Sequence, residues 1–246
     1  MIDFSVVPPD TLAGKVVRFP FRLLPRGMTV PILQGPLRGK KWILGSQRHA
    51  FWLGGYEPKM QALIARELKQ GRTFYDIGAN VGFYTLLGSF CVAPGGVFAF
   101  EPLPANVEFL KRHLAINQVK NVRVLQLAIS DEIGTAKFRA EPTGAMGQLD
   151  SSGNVNVEMS TIDALLATRD IPPPDFIKMD IEGAECKALL GARECFRQHR
   201  PVLFLATHGK EIHDRCCDLL CSWRYKVEII MKETEDRSEI MATATK

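Results

Sequence analysis

The chain has 246 residues, 46% of them hydrophobic and 24% charged, and a formal net charge of +4. This balance excludes a disordered, collagen-like or disulfide-rich chain, and the length suits one large α/β domain with a short extension. Six cysteines occur without a C-x-x-C pair and no basic-then-apolar leader precedes them, so a reduced, cytoplasmic setting is expected, with the cysteines as small core hydrophobes.

Residues 1–56 read as a basic extension. The first 50 residues carry eight Lys or Arg against Asp3 and Asp10, a local charge of +6. Such a segment suits peripheral contact with an anionic surface, phosphate or nucleic acid, or simply a solvated face. Short strands at Thr29–Leu33 and Lys41–Leu44 predict a β-hairpin within it. Residues 57–246 then form a single domain. Met60, Leu63, Ile64 and Leu68 recur at helical spacing and predict a lead-in helix over 57–69, closed by Gly71.

From residue 72 strands and helices alternate. Strands are predicted at Thr73–Ile77, Val97–Glu101, Val122–Leu127, Phe176–Asp180, Pro201–Ala206 and Tyr225–Ile230. Helices are predicted at 81–91, 104–117, 184–198 and 211–222, with a further start at Ser160-Thr161-Ile162-Asp163 that Pro172-Pro173-Pro174 stops. Residues 134–160 read as a hairpin with arms Ala136–Arg139 and Val155–Ser160, and Glu239–Thr243 as an added edge strand. Ile77 to Phe100 holds no charged residue, but its glycines and Pro94 break it into a buried strand end, a helix and a second strand. This alternation predicts an α/β fold, a doubly wound and mostly parallel sheet of Rossmann-like type. Ligands in such sheets bind at the carboxyl ends of the strands.

Three strand ends carry the chemistry. The first is D-I-G-A-N-V-G, Asp76 to Gly82. Gly78 permits a sharp turn and close backbone approach, and Gly82 permits close contact where the helix begins. The pattern is not the dinucleotide G-x-G-x-x-G. An acid at the end of the first strand would repel a pyrophosphate and suits a cationic ligand, such as the ammonium or sulfonium of S-adenosylmethionine. The bland alternative is a strand–turn–helix joint with no ligand. The second is Glu101, 25 residues on and followed by Pro102; an acid there can accept from both ribose hydroxyls.

The third is K-M-D-I-E-G, Lys178 to Gly183. Asp180 and Glu182 lie where a reactive methyl group would face. They can orient a substrate hydroxyl, act as general base or hold a divalent ion, or they can merely cap a helix. No metal is assigned. His208, in A-T-H-G after the fifth strand, is a second candidate base. Glu185 and Lys178 are read as helix surface and strand packing.

Together these segments resemble the FkbM family of methyltransferases. The likeness rests on F-Y-D-I-G-A-N-V-G-F-Y-T, F-A-F-E-P-L-P-A-N, A-I-S-D, I-K-M-D-I-E-G-A-E and V-L-F-L-A-T-H, with W-L-G-G-Y-E-P upstream, and covers roughly 50–230. The resemblance implies a class I methyltransferase fold and S-adenosylmethionine-dependent O-methylation of a sugar, glycolipid or natural-product hydroxyl. Carried over by position, Asp76, Gly78, Ala79, Asn80 and Gly82 line the methionine end. Glu101 and Pro102 lie at the ribose, and Ser130 and Asp131 near the adenine. Ala206-Thr207-His208 departs from the acid common at that strand end in the family. His208 or Asp180 is then expected to take the acceptor's proton, with Glu182 orienting the acceptor. Two other readings stand beside this one. One is an inactive nucleotide- or lipid-binding module of the same fold. The other is an RNA methyltransferase, disfavoured because no N-P-P-Y amine site or RNA module is present.

Overall fold

The computed structural model describes residues 24–140, 147–149, 153–232 and 237–245. Three of the eight basic residues of the extension, Lys15, Arg18 and Arg22, lie outside them.

The expected hairpin forms between β1 (Thr29–Pro31) and β2 (Lys41–Ile43), which pair antiparallel. A short helix, α1 (Ala50–Leu53), leads to α2 (Pro58–Glu67). The hairpin is part of the main core. Trp42 is fully buried, stacks on His113 with ring centroids 3.8 Å apart and meets Phe83 edge-on. Residues on the two sides of position 56, such as Trp42 and Phe83, thus share one hydrophobic cluster.

The central sheet has seven strands in the order β12-β13-β11-β10-β3-β4-β5. These are β3 (Phe74–Ile77), β4 (Val97–Phe100), β5 (Val122–Leu125), β10 (Phe176–Met179), β11 (Val202–His208), β12 (Tyr225–Lys232) and β13 (Arg237–Ala244). β11, β10, β3, β4 and β5 run parallel, and β13 runs antiparallel to both its neighbours. Helices α3 (Phe83–Val92), α4 (Pro104–Ile116), α6 (Glu185–Leu190), α7 (Arg193–His199) and α8 (Lys210–Ser222) complete the domain, with α5 (Ile162–Ala167) before β10. Successive strand residues point to opposite faces. Phe74 joins the core on the side of Leu86, Leu110 and Trp42, whereas Tyr75 joins the one holding Ile177, Leu189 and Phe196. Both faces are covered, so the central strands β3, β4 and β10 are largely buried and mostly apolar, with Asp76 and Lys178 as buried charged exceptions.

Three expectations change. The helix expected over 184–198 is two helices, broken at Gly191-Ala192. A β-carbon on Gly191 would stand 2.0 Å from the carbonyl oxygen of Ser130, so the chain must pass close there. The final strand is not at the edge: β13 inserts between β11 and β12, and β12 is the edge. α5 ends at Ala167, before the prolines, with Arg169 in the left-handed region. The 134–160 hairpin does form, as β7 (Gly134–Ala140) against β9 (Val155–Ser160), and β6 (Ala128–Ile129) and β8 (Gly147–Leu149) extend it to four strands. The six cysteines are free thiols; Cys186, Cys195 and Cys216 are buried, Cys91 and Cys217 half-buried and Cys221 exposed. Among the described residues no helix is long and apolar enough to cross a membrane.

Candidate active site

A cleft of about 1200 Å³ opens at the carboxyl ends of β3, β4 and β10, where the sheet's strand order reverses. Asp76, Gly78, Asn80, Glu101, Lys178 and Asp180 all line it. Residues of the extension, from Leu24 to Tyr56, form its outer wall.

On one side lies the glycine loop. The amides of Gly78 and Ala79 both donate to the carbonyl of Phe100, tying β3's end to β4's. Gly78 has φ +80°, and the place of its missing β-carbon is filled by the backbone of Asp180, 2.0 Å from the carbonyl oxygen. Gly82, at φ +91°, meets the Leu110 side chain of α4 at 2.8 Å. Both glycines are thus required by packing of the protein on itself, whereas Gly78 was expected to admit a ligand. Asn80 adopts φ 50°; its side-chain oxygen accepts from the amide of Val81 and from Gln47.

Glu101 is 5% exposed and its carboxylate is already oriented. It accepts from the amides of Asn80 at 2.8 Å and Leu103 at 3.0 Å and from the Asn106 side chain at 3.2 Å. Burial pushes its pKa up, against these donors. Oε1 already accepts two of these bonds, whereas Oε2 accepts one and keeps acceptor capacity for a ligand hydroxyl. Asp76 is fully buried. Its Oδ2 accepts from Thr85 at 2.6 Å, and its Oδ1 has no hydrogen-bond partner among the described residues. Burial raises its pKa, opposed by the nearby Lys178 ammonium.

The other side is a dense charge cluster. Lys178 Nζ stands 3.4 Å from Asp180 Oδ2 and 4.7 Å from the Tyr84 ring centroid. Tyr84 donates to Glu57 at 2.7 Å, and Arg237 lies 3.8 Å from Glu57 and 3.9 Å from Asp180. Burial raises the pKa of Glu57. It also works against the charge of Lys178, but Asp180, Asp76, Glu57 and Glu239 outweigh it and hold that ammonium's pKa above the ordinary value. For Asp180 the opposing burial is overcome by Lys178, Arg237 and His208, and the pKa is lowered.

His208 is the last residue of β11, one strand over from Asp180. Its Nδ1 pairs with Glu185 Oε1 at 2.8 Å, and its Nε2 faces Glu182 Oε2 at 3.3 Å and Asp180 Oδ1 at 3.6 Å. Burial disfavours the imidazolium, yet Glu185, Asp180 and Glu182 prevail and raise the pKa. Glu182 sits at φ 52°, followed by Gly183 at φ 105°.

Asp76, Gly78, Ala79, Asn80, Glu101, Pro102, Asp180 and Glu182 line one cleft, and His208 adjoins it through Asp180. Gly82 caps α3 behind the loop. Ser130 and Asp131 do not line it; Leu127, Ala128, Ile129 and Phe138 form that wall, while Ser130 donates to Asp131. Glu185 is not a helix-surface residue: it is fully buried and holds His208. Lys178 is not mere strand packing, since its ammonium enters the charge cluster. Glu57, Tyr84, Arg237 and Glu239 were missed. The Y-E-P segment carried a signal for Glu57; Arg237 and Glu239 lie in a polar stretch with no motif and arrive only through strand insertion.

Comparison with known proteins gives the same picture. The Methyltransferase FkbM domain profile matches residues 76–227. A hexuronic acid methyltransferase, AglP, from Haloferax volcanii is 27% identical over 131 residues, 52% of this chain and 53% of that protein. The 31-O-demethyl-FK506 methyltransferase FkbM of Streptomyces tacrolimicus is 24% identical over 162 residues, 52% of this chain and 62% of that one. The matches thus span between half and two thirds of these relatives' lengths. A crystal structure of Methyltransferase FkbM from Methylobacillus flagellatus superposes with a TM-score of 0.53 at 22% identity, covering 70% of this chain and 43% of that one, and supports the Rossmann-like methyltransferase fold.

Proposed function

The chain belongs to the FkbM methyltransferase family, and from that premise we propose that it is an S-adenosylmethionine-dependent O-methyltransferase acting on a hydroxyl of a sugar, glycolipid or natural-product acceptor. The observation that carries the reading is the division of one cleft into two chemistries. A preoriented acid at the second strand end and a glycine loop lie on one side, and a cluster of buried carboxylates, Lys178 and His208 on the other.

The donor fits the residues present. Glu101 Oε2 offers acceptor capacity to a ribose hydroxyl, and the Oδ1 of buried Asp76, without a hydrogen-bond partner among the described residues, suits the ammonium or sulfonium end. Asp76, Gly78, Ala79 and Asn80 would hold the methionine part, with Gly82 behind them, and Glu101 and Pro102 the ribose. When bound, S-adenosylmethionine supplies an electrophilic methyl group with a good leaving group. The chain's contribution is then position and charge, and well-oriented reactants gain on the order of 7–11 kcal/mol. Asp180, Glu182 and His208 would receive the acceptor hydroxyl and lower the cost of losing its proton, with Glu185 fixing the imidazole through Nδ1. The names of two relatives, a hexuronic acid methyltransferase and a 31-O-demethyl-FK506 methyltransferase, support an oxygen acceptor.

The test has two parts. Calorimetry should detect S-adenosylmethionine binding, and methyl-labelled donor should transfer to members of a panel of sugars, uronic acids and polyols. No binding at millimolar donor would overturn the reading in favour of an inactive module.

A further inference from the structure

We infer that Asp180, Glu182 and His208 form a binding site for one divalent cation of the first transition row. The donor atoms come from the turn after β10 and from the end of β11, and they converge within 4.8 Å of one another. His208 Nε2 lies 3.3 Å from Glu182 Oε2 and 3.6 Å from Asp180 Oδ1. Two ligands about 2.1 Å from one cation, at tetrahedral or octahedral angles, stand roughly 3.0–3.4 Å apart. The two separations from Nε2 need only a few tenths of an ångström of adjustment, and the two carboxylate oxygens lie within 4.8 Å of each other.

Independent observations point to a ligand here. His208 Nε2 and Asp180 Oδ1 are both buried atoms that make no hydrogen bond with the described residues. Buried polar atoms are normally satisfied, and two orphans facing each other need a third party. Asp180 is divided in its duties: Oδ2 faces Lys178 and Arg237, and Oδ1 faces only His208. Lys178 and Arg237 therefore do not serve the converging atoms.

The imidazole is also prepared for coordination. Glu185, with a fully buried side chain, engages Nδ1 at 2.8 Å and so places Nε2 toward the two carboxylates. A carboxylate behind a histidine is the usual way of fixing a metal-binding tautomer. Charge agrees with geometry. Glu57, Asp76, Asp180, Glu182, Glu185 and Glu239 gather around two permanent cations, Lys178 and Arg237. One imidazole nitrogen with two carboxylate oxygens suits manganese, iron or zinc better than magnesium, and three protein ligands leave positions open. The use of those positions for the acceptor's hydroxyl rests on the function proposed above; the binding site itself does not.

The test uses the full chain, stripped with chelator, and Mn²⁺ as probe. Electron paramagnetic resonance should count one bound Mn²⁺ per chain, with a nitrogen hyperfine coupling from the imidazole. Glu182→Gln, at a half-exposed position that leaves the fold intact, should weaken binding at least about tenfold, and His208→Asn should abolish the nitrogen coupling. Glu185→Gln should weaken binding by about 10- to 100-fold, while Glu101→Gln on the other side of the cleft should leave it unchanged. Absence of stoichiometric Mn²⁺, or binding indifferent to Glu182→Gln and His208→Asn, overturns the inference and leaves an imidazolium between two carboxylates. Calorimetry with S-adenosylmethionine on the same samples separates the two proposals. Donor binding without Mn²⁺ removes only the cation site, and Mn²⁺ binding without donor removes only the proposed function.

Discussion

The carbonyl oxygen of Asp180 occupies the space that a side chain on Gly78 would need, 2.0 Å from the missing β-carbon, and the Asp180 amide donates to Ile77 at 3.1 Å. The loop expected to hold the donor and the turn expected to hold the acceptor are therefore in direct backbone contact. Neither can shift without the other. This is a physical reason for the glycine that does not depend on any ligand.

Gly78→Ala should consequently be among the most damaging small substitutions in the chain. It combines a left-handed backbone with a collision against main chain that has no rotamer to escape into. A loss of about 3–5 kcal/mol is expected from urea unfolding. A loss below about 1 kcal/mol would mean that the two loops separate easily.

His113 gives the protein a specific acid sensitivity. Its Nε2 accepts from the Ile43 amide at 3.1 Å, its Nδ1 donates to the Val81 carbonyl at 2.8 Å, and Trp42 covers the ring. The neutral tautomer is thus fixed, and burial pulls the pKa down from 6.5 to about 4. The unfolded chain binds a proton below about pH 6.5 that the folded chain refuses until about pH 4, so stability falls as pH falls through that window. The contribution is about 3 kcal/mol. Urea midpoints measured from pH 7 to pH 4.5 should show this slope in the wild type and a shallower one in His113→Phe. Parallel profiles would contradict the assignment.

Glu101→Gln preserves size but turns an acceptor-only group into one that presents an amide to three donors. A charged acceptor of this kind contributes about 1.5–3 kcal/mol per hydrogen bond. Affinity for S-adenosylmethionine should drop roughly 10- to 100-fold by calorimetry. Unchanged affinity would place the ribose elsewhere.

Asp163 links two helices that are distant in sequence. It lies in the first turn of α5, and its two oxygens accept from the amides of Glu194 at 2.9 Å and Cys195 at 2.8 Å, at the start of α7. The residue before α7, Ala192, supplies no side-chain cap of its own. Asp163→Ala should cost about 2 kcal/mol in thermal or urea unfolding, and Asp163→Asn about half as much.

The sequence by itself determined the alternation of strands and helices, the parallel sheet and the three strand ends that meet at the cleft. It could do so because those features are local: apolar periodicity, Gly78 and Gly82 at a turn, Glu101 before a proline, Asp180 before Gly183. Tertiary structure alone decided what those residues face. The period within 184–198 does not show that Ser130 presses on Gly191 and splits the helix. No spacing shows that Glu185 turns inward to hold His208 rather than outward to water. Nor does the tail after residue 236 reveal that β13 slides between β11 and β12 and carries Arg237 to Asp180. Helix period and strand alternation fix which way a side chain points from its own element. Which partner waits there depends on the order of strands in the sheet, and that order is set by burial summed over the whole chain.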